Sequence, residues 1–288
     1  MLNYKEYDNL NIKILVNYIK PSTLFKSNIL TPIHLGRSVA KEMSKDGIIS
    51  DEDLNWLHQN CLSDNDFEGN ISHLNRKIGF LTGTYWAWKN YNKLGAPEYF
   101  GSFGYRRLFE SSFLKELYDY DFYAPTKLKI TPDLKNQFIQ HHGEQIYHDT
   151  CNTLSQIYPE EVNLWNIYMS QDYGYFWEIY VMKKQIFFDF CEWIFPLMNN
   201  LLKISKDENQ AKILKNFSET QNILNYYDNR LIGFAIERLT GYFLFKLFKT
   251  KKGKEVNVLI LDDKNTENKR IERQKQLSKI LRQHIKEK

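Results

Sequence analysis

Two adjacent arginines, Arg106 and Arg107, follow an aromatic, glycine-interrupted segment that is typical of a buried strand running into a functional loop. A guanidinium group can bind a phosphate through two parallel hydrogen bonds, so one of this pair is a candidate phosphate ligand. Lys20, just past the first predicted strand, is a second candidate for the same charge. The alternative for the arginines is a pair of surface side chains that bond nearby carboxylates.

Two carboxylates, Asp64 and Asp66, stand two residues apart in a loop rich in Asp, Asn and Gly. Oxygen ligands of this kind hold Mn²⁺ or Mg²⁺ in many enzymes. The same spelling arises by chance in such loops, and here it precedes a helix instead of following a buried strand. The strand predicted at 99–103 has no acidic residue. A metal-independent mechanism therefore stands beside the metal site.

Glu237 lies in an otherwise apolar helical segment, which makes it the first candidate for a general base. Asp172 and Glu178 are the next candidates. The alternative for Glu237 is structural, either an ion pair with Arg238 or a contact with Arg230. The sequence alone leaves both interpretations open.

Aromatic residues make up 15% of the chain, and ring faces of this kind line many sugar and nucleotide sites. Tyr85, Trp86 and Trp88 cannot all face the core of one helix, because Trp86 and Trp88 lie about 200° apart on it. One ring is expected to pack inside while another stacks on a base or a sugar. Lys89, Asn70 and Asn75 are able to form hydrogen bonds with sugar hydroxyls. The alternative is that they are ordinary polar residues of a loop or a helix end.

The histidines and cysteines predict neither a zinc site nor a disulfide. The histidine cluster lacks the i, i+4 spacing of a helical zinc pair, and its members are His141, His142 and His148. The cysteines are sparse, odd in number and far apart, which favours a reducing compartment; they are Cys61, Cys151 and Cys191.

Alternating apolar runs and amphipathic segments predict an α/β fold. Strands are predicted at 11–18, 99–107, 126–130, 175–182 and 255–261. Helices are predicted at 51–60, 74–91, 184–202, 231–248 and 266–287, with a loop and then a helix at 32–46 and a helical hairpin at 132–154. A strand followed by a loop and a helix opens most nucleotide-binding folds.

One globular domain over residues 1–262 and a basic helical tail over 263–288 are expected, because 42% apolar residues suffice for one large core. Residues 249–288 hold 13 Lys and Arg against 6 Asp and Glu, a net +7 in a chain of net +4. Such a tail fits peripheral contact with phospholipid headgroups or with a lipid-linked diphosphate, or it is a solvated helix. It has no interleaved aromatics, so nucleic acid is not expected as a partner.

Neither a signal peptide nor a membrane-spanning stretch is predicted, because residues 1–8 are polar and no run of about 18 apolar residues occurs. A cytoplasmic location is therefore expected, with peripheral contact at the inner face of the cell membrane.

Six segments in order, together with the opening of the chain, resemble the DUF4422 family of bacterial capsular polysaccharide and lipopolysaccharide glycosyltransferases. The most specific is 82–90 (TGTYWAWKN). The others are 17–21 with 31–37 at the opening, then 69–75, 104–109, 180–184, 191–195 and 233–239.

This resemblance implies a GT-A-like, Rossmann-type domain. It also implies transfer of a sugar from a nucleotide diphosphate donor onto a capsule or lipopolysaccharide glycan, with a lipid-linked glycan as one option for the acceptor. UDP is the expected nucleotide of the donor, and galactofuranose or a related hexose is the expected sugar. A non-catalytic subunit that binds a glycan or nucleotide sugar is the alternative. The expected donor-binding residues are Asn17, Tyr18, Lys20, Asn70, Asn75, Tyr85, Trp86, Lys89, Tyr105, Arg106 and Arg107.

Three positions depart from the family pattern. Gly69, Phe80 and Gly104 stand where the family has Asp, Glu and His. If any of those polar residues carries the chemistry in relatives, this chain uses another group, binds a different sugar or is impaired.

Overall fold

The strands are short, and most arise from the apolar runs that the sequence predicts as strands. The computed structural model describes residues 3–42, 48–209 and 219–261. Numbered in chain order, its strands are β1 (Ile12–Tyr18), β2 (Leu30–His34), β3 (Leu62–Ser63), β4 (Tyr99–Gly104), β5 (Arg107–Phe109), β6 (Phe122–Pro125), β7 (Leu128–Lys129), β8 (Tyr173–Gly174), β9 (Tyr180–Lys183), β10 (Gly253–Val256) and β11 (Val258–Ile260).

The central sheet has a parallel half built on β1. Strands β3, β2, β1 and β4 lie side by side and parallel, with Ile14 of β1 pairing with Leu30 on one side and Gly101 on the other. Strand β9 runs antiparallel between β4 and β6, and β10 continues parallel to β6. Strand β5 turns back from β4 and pairs with β11. The start of β9 therefore lies at the edge where β1 and β4 end.

Helices cover the sheet, and several begin at side-chain caps. The Ser50 hydroxyl accepts from the Asp53 amide, and the Asp133 carboxylate accepts from the Asn136 amide. The first amides of a helix have no acceptor within the helix, so these two side chains cap the starts of α1 and α4. The helices are α1 (Asp51–Asn60), α2 (Asn75–Ile78), α3 (Leu81–Lys89), α4 (Leu134–His142), α5 (Glu144–Ile157), α6 (Val162–Met169), α7 (Lys184–Asn209) and α8 (Glu219–Thr250).

Each face of the sheet has its own hydrophobic core, because successive strand residues point to opposite faces. Leu15, Phe100 and Tyr180 belong to the core that α3, α5, α7 and α8 cover. Ile14 and Val16 face the other core. Burial on both faces explains why β1 and β4 read as continuous apolar runs.

The α/β class and most elements agree with the sequence prediction, and the differences occur where a turn interrupts an apolar pattern. Residues 32–34 belong to β2, not to a loop. The predicted helix at 74–91 is broken at Gly79, whose φ is +58°. Of the predicted strand at 175–182, only the end is β9. The predicted strands at 126–130 and 255–261 are each split or shifted by a turn.

The predicted helix at 266–287 and the tail at 263–288 lie outside the described residues, as does the end of the 32–46 segment. Among the described helices, none is both long and apolar enough to span a bilayer.

Candidate active site at the carboxyl ends of the parallel strands

The carboxyl ends of β1 and β4 mark the point where the connections of the sheet diverge. The chain leaves β1 toward β2 on one side, and β4 enters on the other side. Ligands of open α/β sheets bind in the crevice outside such a switch point. A ligand crevice is therefore expected next to Tyr18 and Gly104, the last residues of these strands.

Asn17 lies fully buried just beneath this edge. Its amide Nδ2 donates to the Ser102 hydroxyl of β4 at 2.9 Å, while its Oδ1 has no hydrogen-bond partner among the described residues. A Cβ built on Gly83 would lie 2.8 Å from that Oδ1. A glycine at 83 thus lets α3 pack closely against the ends of β1 and β4.

Tyr18 and Tyr105 hold the loops that follow the two strands. Their rings stack with centroids 5.4 Å apart. The Tyr18 hydroxyl donates to the Thr23 carbonyl at 2.8 Å and accepts from the Phe25 amide at 2.9 Å. The Arg106 guanidinium lies 5.1 Å from the Tyr105 ring. These contacts fix the backbone around the edge.

Arg107 begins β5 and pairs with Gly104 at the end of β4. Its guanidinium carbon lies 5.6 Å from the centre of the Trp177 ring. Of the tandem arginines, Arg107 therefore contacts the segment that precedes β9, whereas Arg106 contacts Tyr105.

Two consecutive residues before β9 adopt left-handed backbone conformations. Trp177 has φ 74° and Glu178 has φ 53°. Neither is glycine, and such conformations cost about 1–3 kcal/mol each and cluster at functional sites. Glu237 of α8 secures the turn, because its Oε1 accepts from the Trp177 amide at 3.0 Å. Its Oε2 lies 3.4 Å from Nη1 of the buried Arg238.

The Glu178 carboxylate is close enough to Glu237 for the two charges to interact. Burial raises the pKa of Glu178 to about 8; the Glu237 charge adds to this shift and Arg230 opposes it. Glu178 is thus the partner carboxylate of Glu237 in space. Asp172, the other candidate beside Glu178, is exposed, and its backbone carbonyl accepts from the Ile130 amide at 2.6 Å.

Helices α2 and α3 complete the surroundings of these groups. A Cβ on Gly79 would lie 3.3 Å from Nη1 of Arg230, and a Cβ on Gly104 would lie 3.3 Å from Cζ of Phe80. We call this group of residues the edge cluster. Its members are linked by strand pairing, close approach, a hydrogen bond or electrostatic interaction: Gly104, Phe80, Gly79, Arg230, Glu178, Glu237, Trp177 and Arg107.

Three of the predicted donor residues on α3 lie elsewhere. Tyr85 packs edge-on against Phe195 of α7 at 5.0 Å. Trp86 is buried and donates its Nε1 to Asp66 at 2.5 Å. The Lys89 ammonium lies 3.5 Å above the Trp88 ring. These side chains join α3 to α7 and to the loop after β3. The contacts that the structure shows for them are therefore with other parts of the protein core.

Asp64 and Asp66 connect the loop after β3 to neighbouring segments, Asp64 to the loop after β2 and Asp66 to Trp86 of α3. The buried Asp64 carboxylate accepts from the Gly36 amide at 2.6 Å, the Arg37 amide at 3.1 Å and the Ser72 hydroxyl at 2.5 Å. Burial raises the pKa of Asp64, while these hydrogen bonds oppose the shift. In the described part of the chain, no three His, Cys, Asp or Glu residues come together as a metal site.

The remaining predicted donor residues brace loops or lie near the edge. Asn70 donates to the Phe67 carbonyl at 2.8 Å and accepts from the Ser72 amide at 3.2 Å. The buried Asn75 donates to the Gly79 carbonyl at 2.8 Å. Lys20 is partly buried, two residues beyond the end of β1.

The histidines, which the sequence does not predict to be zinc ligands, contact residues of their own or neighbouring helices. The His142 ring stacks on Phe234 with centroids 4.1 Å apart, and His148 lies 3.3 Å from Glu144 in α5.

Comparisons with known proteins extend this description. The profile of a family described as "Domain of unknown function (DUF4422)" matches residues 13–251. A solved structure titled "WbbM bifunctional glycosytransferase apo structure" aligns with a TM-score of 0.65 and 23% identity, over 88% of this chain and 45% of that one. This likeness shows a GT-A-like α/β fold, and the chain spans less than half the length of that protein. No curated protein matches the chain.

Proposed function

We propose that this chain, which belongs to the DUF4422 family, is a glycosyltransferase that moves a sugar from a nucleotide diphosphate donor onto a glycan acceptor. The GT-A-like fold supports the proposal, because the protein that shares it is titled a bifunctional glycosyltransferase. Fold likeness alone does not assign chemistry, because the reaction depends on the residues of the site.

The observation that carries the proposal is the meeting of Arg107, Glu178 and Glu237 around Trp177 at the switch point of the sheet. Glycosyl transfer needs a positive group where the diphosphate departs, and an arginine suits a phosphate oxygen pair. It also needs a group that accepts the proton of the attacking hydroxyl. The edge cluster contains both kinds of group beside the crevice in which α/β proteins bind ligands.

The donor and acceptor follow from the family resemblance of the sequence. A UDP-sugar, with galactofuranose or a related hexose, is the proposed donor. A capsule or lipopolysaccharide glycan, which a lipid diphosphate carries, is the proposed acceptor. An enzyme that uses these substrates would act at the cytoplasmic face of the membrane, and the basic stretch at 249–288 suits contact with anionic headgroups.

Charge neutralisation by arginine is the proposed alternative to Mn²⁺ or Mg²⁺ at Asp64 and Asp66. Gly36, Arg37 and Ser72 already donate to the Asp64 oxygens that a metal would use. Asp66 accepts from Trp86. We therefore derive no step through a metal bound at these two residues.

A thermal-shift panel tests the proposal. The purified chain is heated with UDP, GDP, CMP or dTDP, each with Mn²⁺ and with EDTA. A nucleotide that binds only the native state raises the melting temperature as its concentration exceeds the dissociation constant. We expect UDP to stabilise the chain equally in Mn²⁺ and EDTA, and the chain to release UDP from a UDP-hexose. Stabilisation without any turnover would favour the non-catalytic binding subunit, and no stabilisation by any nucleotide would contradict the donor site.

Single-residue variants identify the phosphate ligand. We expect Arg107→Ala to lower turnover about 100-fold or more, the range found on removal of one charge-stabilising donor. Arg106→Ala is the competing variant, because Arg106 contacts Tyr105 instead of Trp177. Lys115→Ala, which removes an exposed cation between β5 and β6, is the control for a general loss of positive charge. If Arg106→Ala shows the loss and Arg107→Ala does not, the assignment moves to Arg106.

A further inference from the structure

Two carboxylates of the edge cluster have different hydrogen-bond environments. Both oxygens of Glu237 contact donors, one at the Trp177 amide and the other near Arg238. No described residue donates a hydrogen bond to the Glu178 carboxylate, although Glu178 as a whole residue keeps partial solvent exposure. Neighbouring titratable groups whose surroundings differ in this way usually have different roles.

We propose that Glu178 is the catalytic residue that takes the proton from the acceptor hydroxyl, and that Glu237 and Arg230 are positioning residues for it. This proposal rests on the proposed function. The acceptor oxygen bonds to the anomeric carbon of the donor while its proton passes to a Glu178 oxygen. The bond from that carbon to the nucleotide diphosphate breaks, and the diphosphate departs with the electron pair beside Arg107.

The backbone supports this division of roles. The left-handed turn at Trp177 and Glu178 comes just before β9, which starts at the edge where β4 ends. Glu237 accepts from the amide inside that turn, so α8 holds the turn in place. Glu237 thus acts through the backbone that carries Glu178. Glu237 was the sequence's first choice for the base, and its occupied oxygens are the reason for moving that role to Glu178.

The charges around Glu178 come from each element packed against it. Glu237 and Arg230 face it from α8, and Tyr180 follows it on β9 with its hydroxyl 3.1 Å from the Thr84 hydroxyl. Arg107 lies over the adjacent Trp177. With the pKa of Glu178 raised to about 8, chiefly by burial, its carboxylate form increases as pH rises through that value. A general base is active in that form, so turnover is expected to increase with pH up to about 8.

The first experiment reads the protonation of Glu178 without any substrate. The chain is labelled with ¹³C at the glutamate carboxyl carbons, and each signal is followed by NMR from pH 4 to 9. We expect one signal with a midpoint near 8, absent in Glu178→Gln and moved to a lower pH in Glu237→Gln. A Glu178 signal that titrates at the ordinary value of 4.5 would overturn the proposal.

The second experiment uses UDP-galactose as the probe, with water in place of the unidentified acceptor, and measures release of UDP. We expect Glu178→Gln to lower kcat about 100-fold or more and to flatten the rise with pH, as for loss of a general base. Glu178→Asp should recover part of the rate. The UDP concentration that gives half of the maximal thermal stabilisation should change less than twofold.

The matched control is Glu192→Gln, because Glu192 is an exposed glutamate on α7 away from the edge cluster. It should leave the rate, its pH profile and the NMR titration unchanged. UDP binding and UDP release that survive Glu178→Gln with an unchanged pH profile would overturn only the role of Glu178. A wild-type chain that neither binds a nucleotide nor releases UDP would overturn the proposed function together with it.

Discussion

The ring of Phe80 lies directly over Gly104, so that a Cβ at position 104 would stand 3.3 Å from Cζ and 3.4 Å from Cε2 of that ring. These are two of the three positions at which the chain departs from its family pattern. The two departures therefore touch in space, although 24 residues separate them in the sequence. The sequence resemblance implies Glu and His at these two positions, where this chain has an aromatic ring over a glycine.

This contact predicts that positions 80 and 104 are coupled. Gly104→His should destabilise the chain by about 1–3 kcal/mol, because a side chain at 104 needs the space that the Phe80 ring fills. Combining it with Phe80→Glu should recover at least about 1 kcal/mol relative to the sum of the single changes. Urea unfolding of the four proteins in this cycle measures the coupling.

Gly69, the third departure, supplies the control for this cycle. A Cβ there meets nothing within 4 Å, although its φ is +77°. Gly69→Asp and Phe80→Glu should therefore be additive to within about 0.5 kcal/mol. Additivity of Gly104→His with Phe80→Glu as well would contradict the coupling.

Asp64→Ala should destabilise the chain by about 2–4 kcal/mol, because it leaves two backbone amides and one hydroxyl without their acceptor in a buried loop. Asp66→Ala should cost less, since Asp66 is exposed. Differential scanning calorimetry in Mn²⁺ and in EDTA distinguishes this from a metal role. A melting temperature that falls in EDTA, and that Asp64→Ala makes insensitive to EDTA, would point to a bound metal.

Glu237→Gln should lower stability by about 1–3 kcal/mol, since it removes the charge nearest to a cation that is 3% exposed, Arg238. Glutamine keeps an acceptor for the Trp177 amide, so the turn before β9 should persist. Urea unfolding measures the loss, and Glu192→Gln, within about 0.5 kcal/mol of wild type, is the surface control. An equally small change in Glu237→Gln would show that Arg238 needs only Gln137 and its aromatic neighbours.

His34 predicts a loss of stability in acid. Burial, with help from Arg37, lowers the pKa of this histidine to about 3 from an ordinary value of 6.5. Below pH 6.5, His34 is therefore protonated in the unfolded chain but stays neutral in the folded chain. The free energy of unfolding consequently falls as the pH decreases from 6.5 toward 3. Unfolding free energies at pH 7 and pH 5 should differ less in His34→Gln than in wild type. The exposed His148→Gln should keep the wild-type difference; an unchanged slope in His34→Gln would contradict the assignment.

Periodicity predicts the elements whose patterns are unbroken. The helix at 51–60 has the predicted bounds, and β1 differs from the predicted strand by one residue. The helix predicted at 74–91 is broken, because Gly79 takes a left-handed conformation and Asn75 donates to its carbonyl. The apolar spacing continues across this break, so no pattern in the sequence reveals it.

The candidate site is predicted in part. Composition and spacing select Glu237 and one of Arg106 and Arg107, and the fold brings Arg107 and Glu237 to one edge through Trp177. The pairing of Glu178 with Glu237 depends on where β9 starts and on a turn without glycine, and neither has a local signal. Aromatic residues on α3 have packing roles that their types alone do not distinguish from stacking on a ligand.

The left-handed turn before β9 also determines what selection for stability would do to this protein. Glycine at position 177 or 178 would relieve backbone strain of about 1–3 kcal/mol per residue. The same change would remove the ring that Arg107 faces or the carboxylate beside Glu237. Of the described non-glycine residues with positive φ, Ala96, Trp177 and Glu178, the last two are those at which selection for heat resistance alone would yield more stable chains with poorer catalysis.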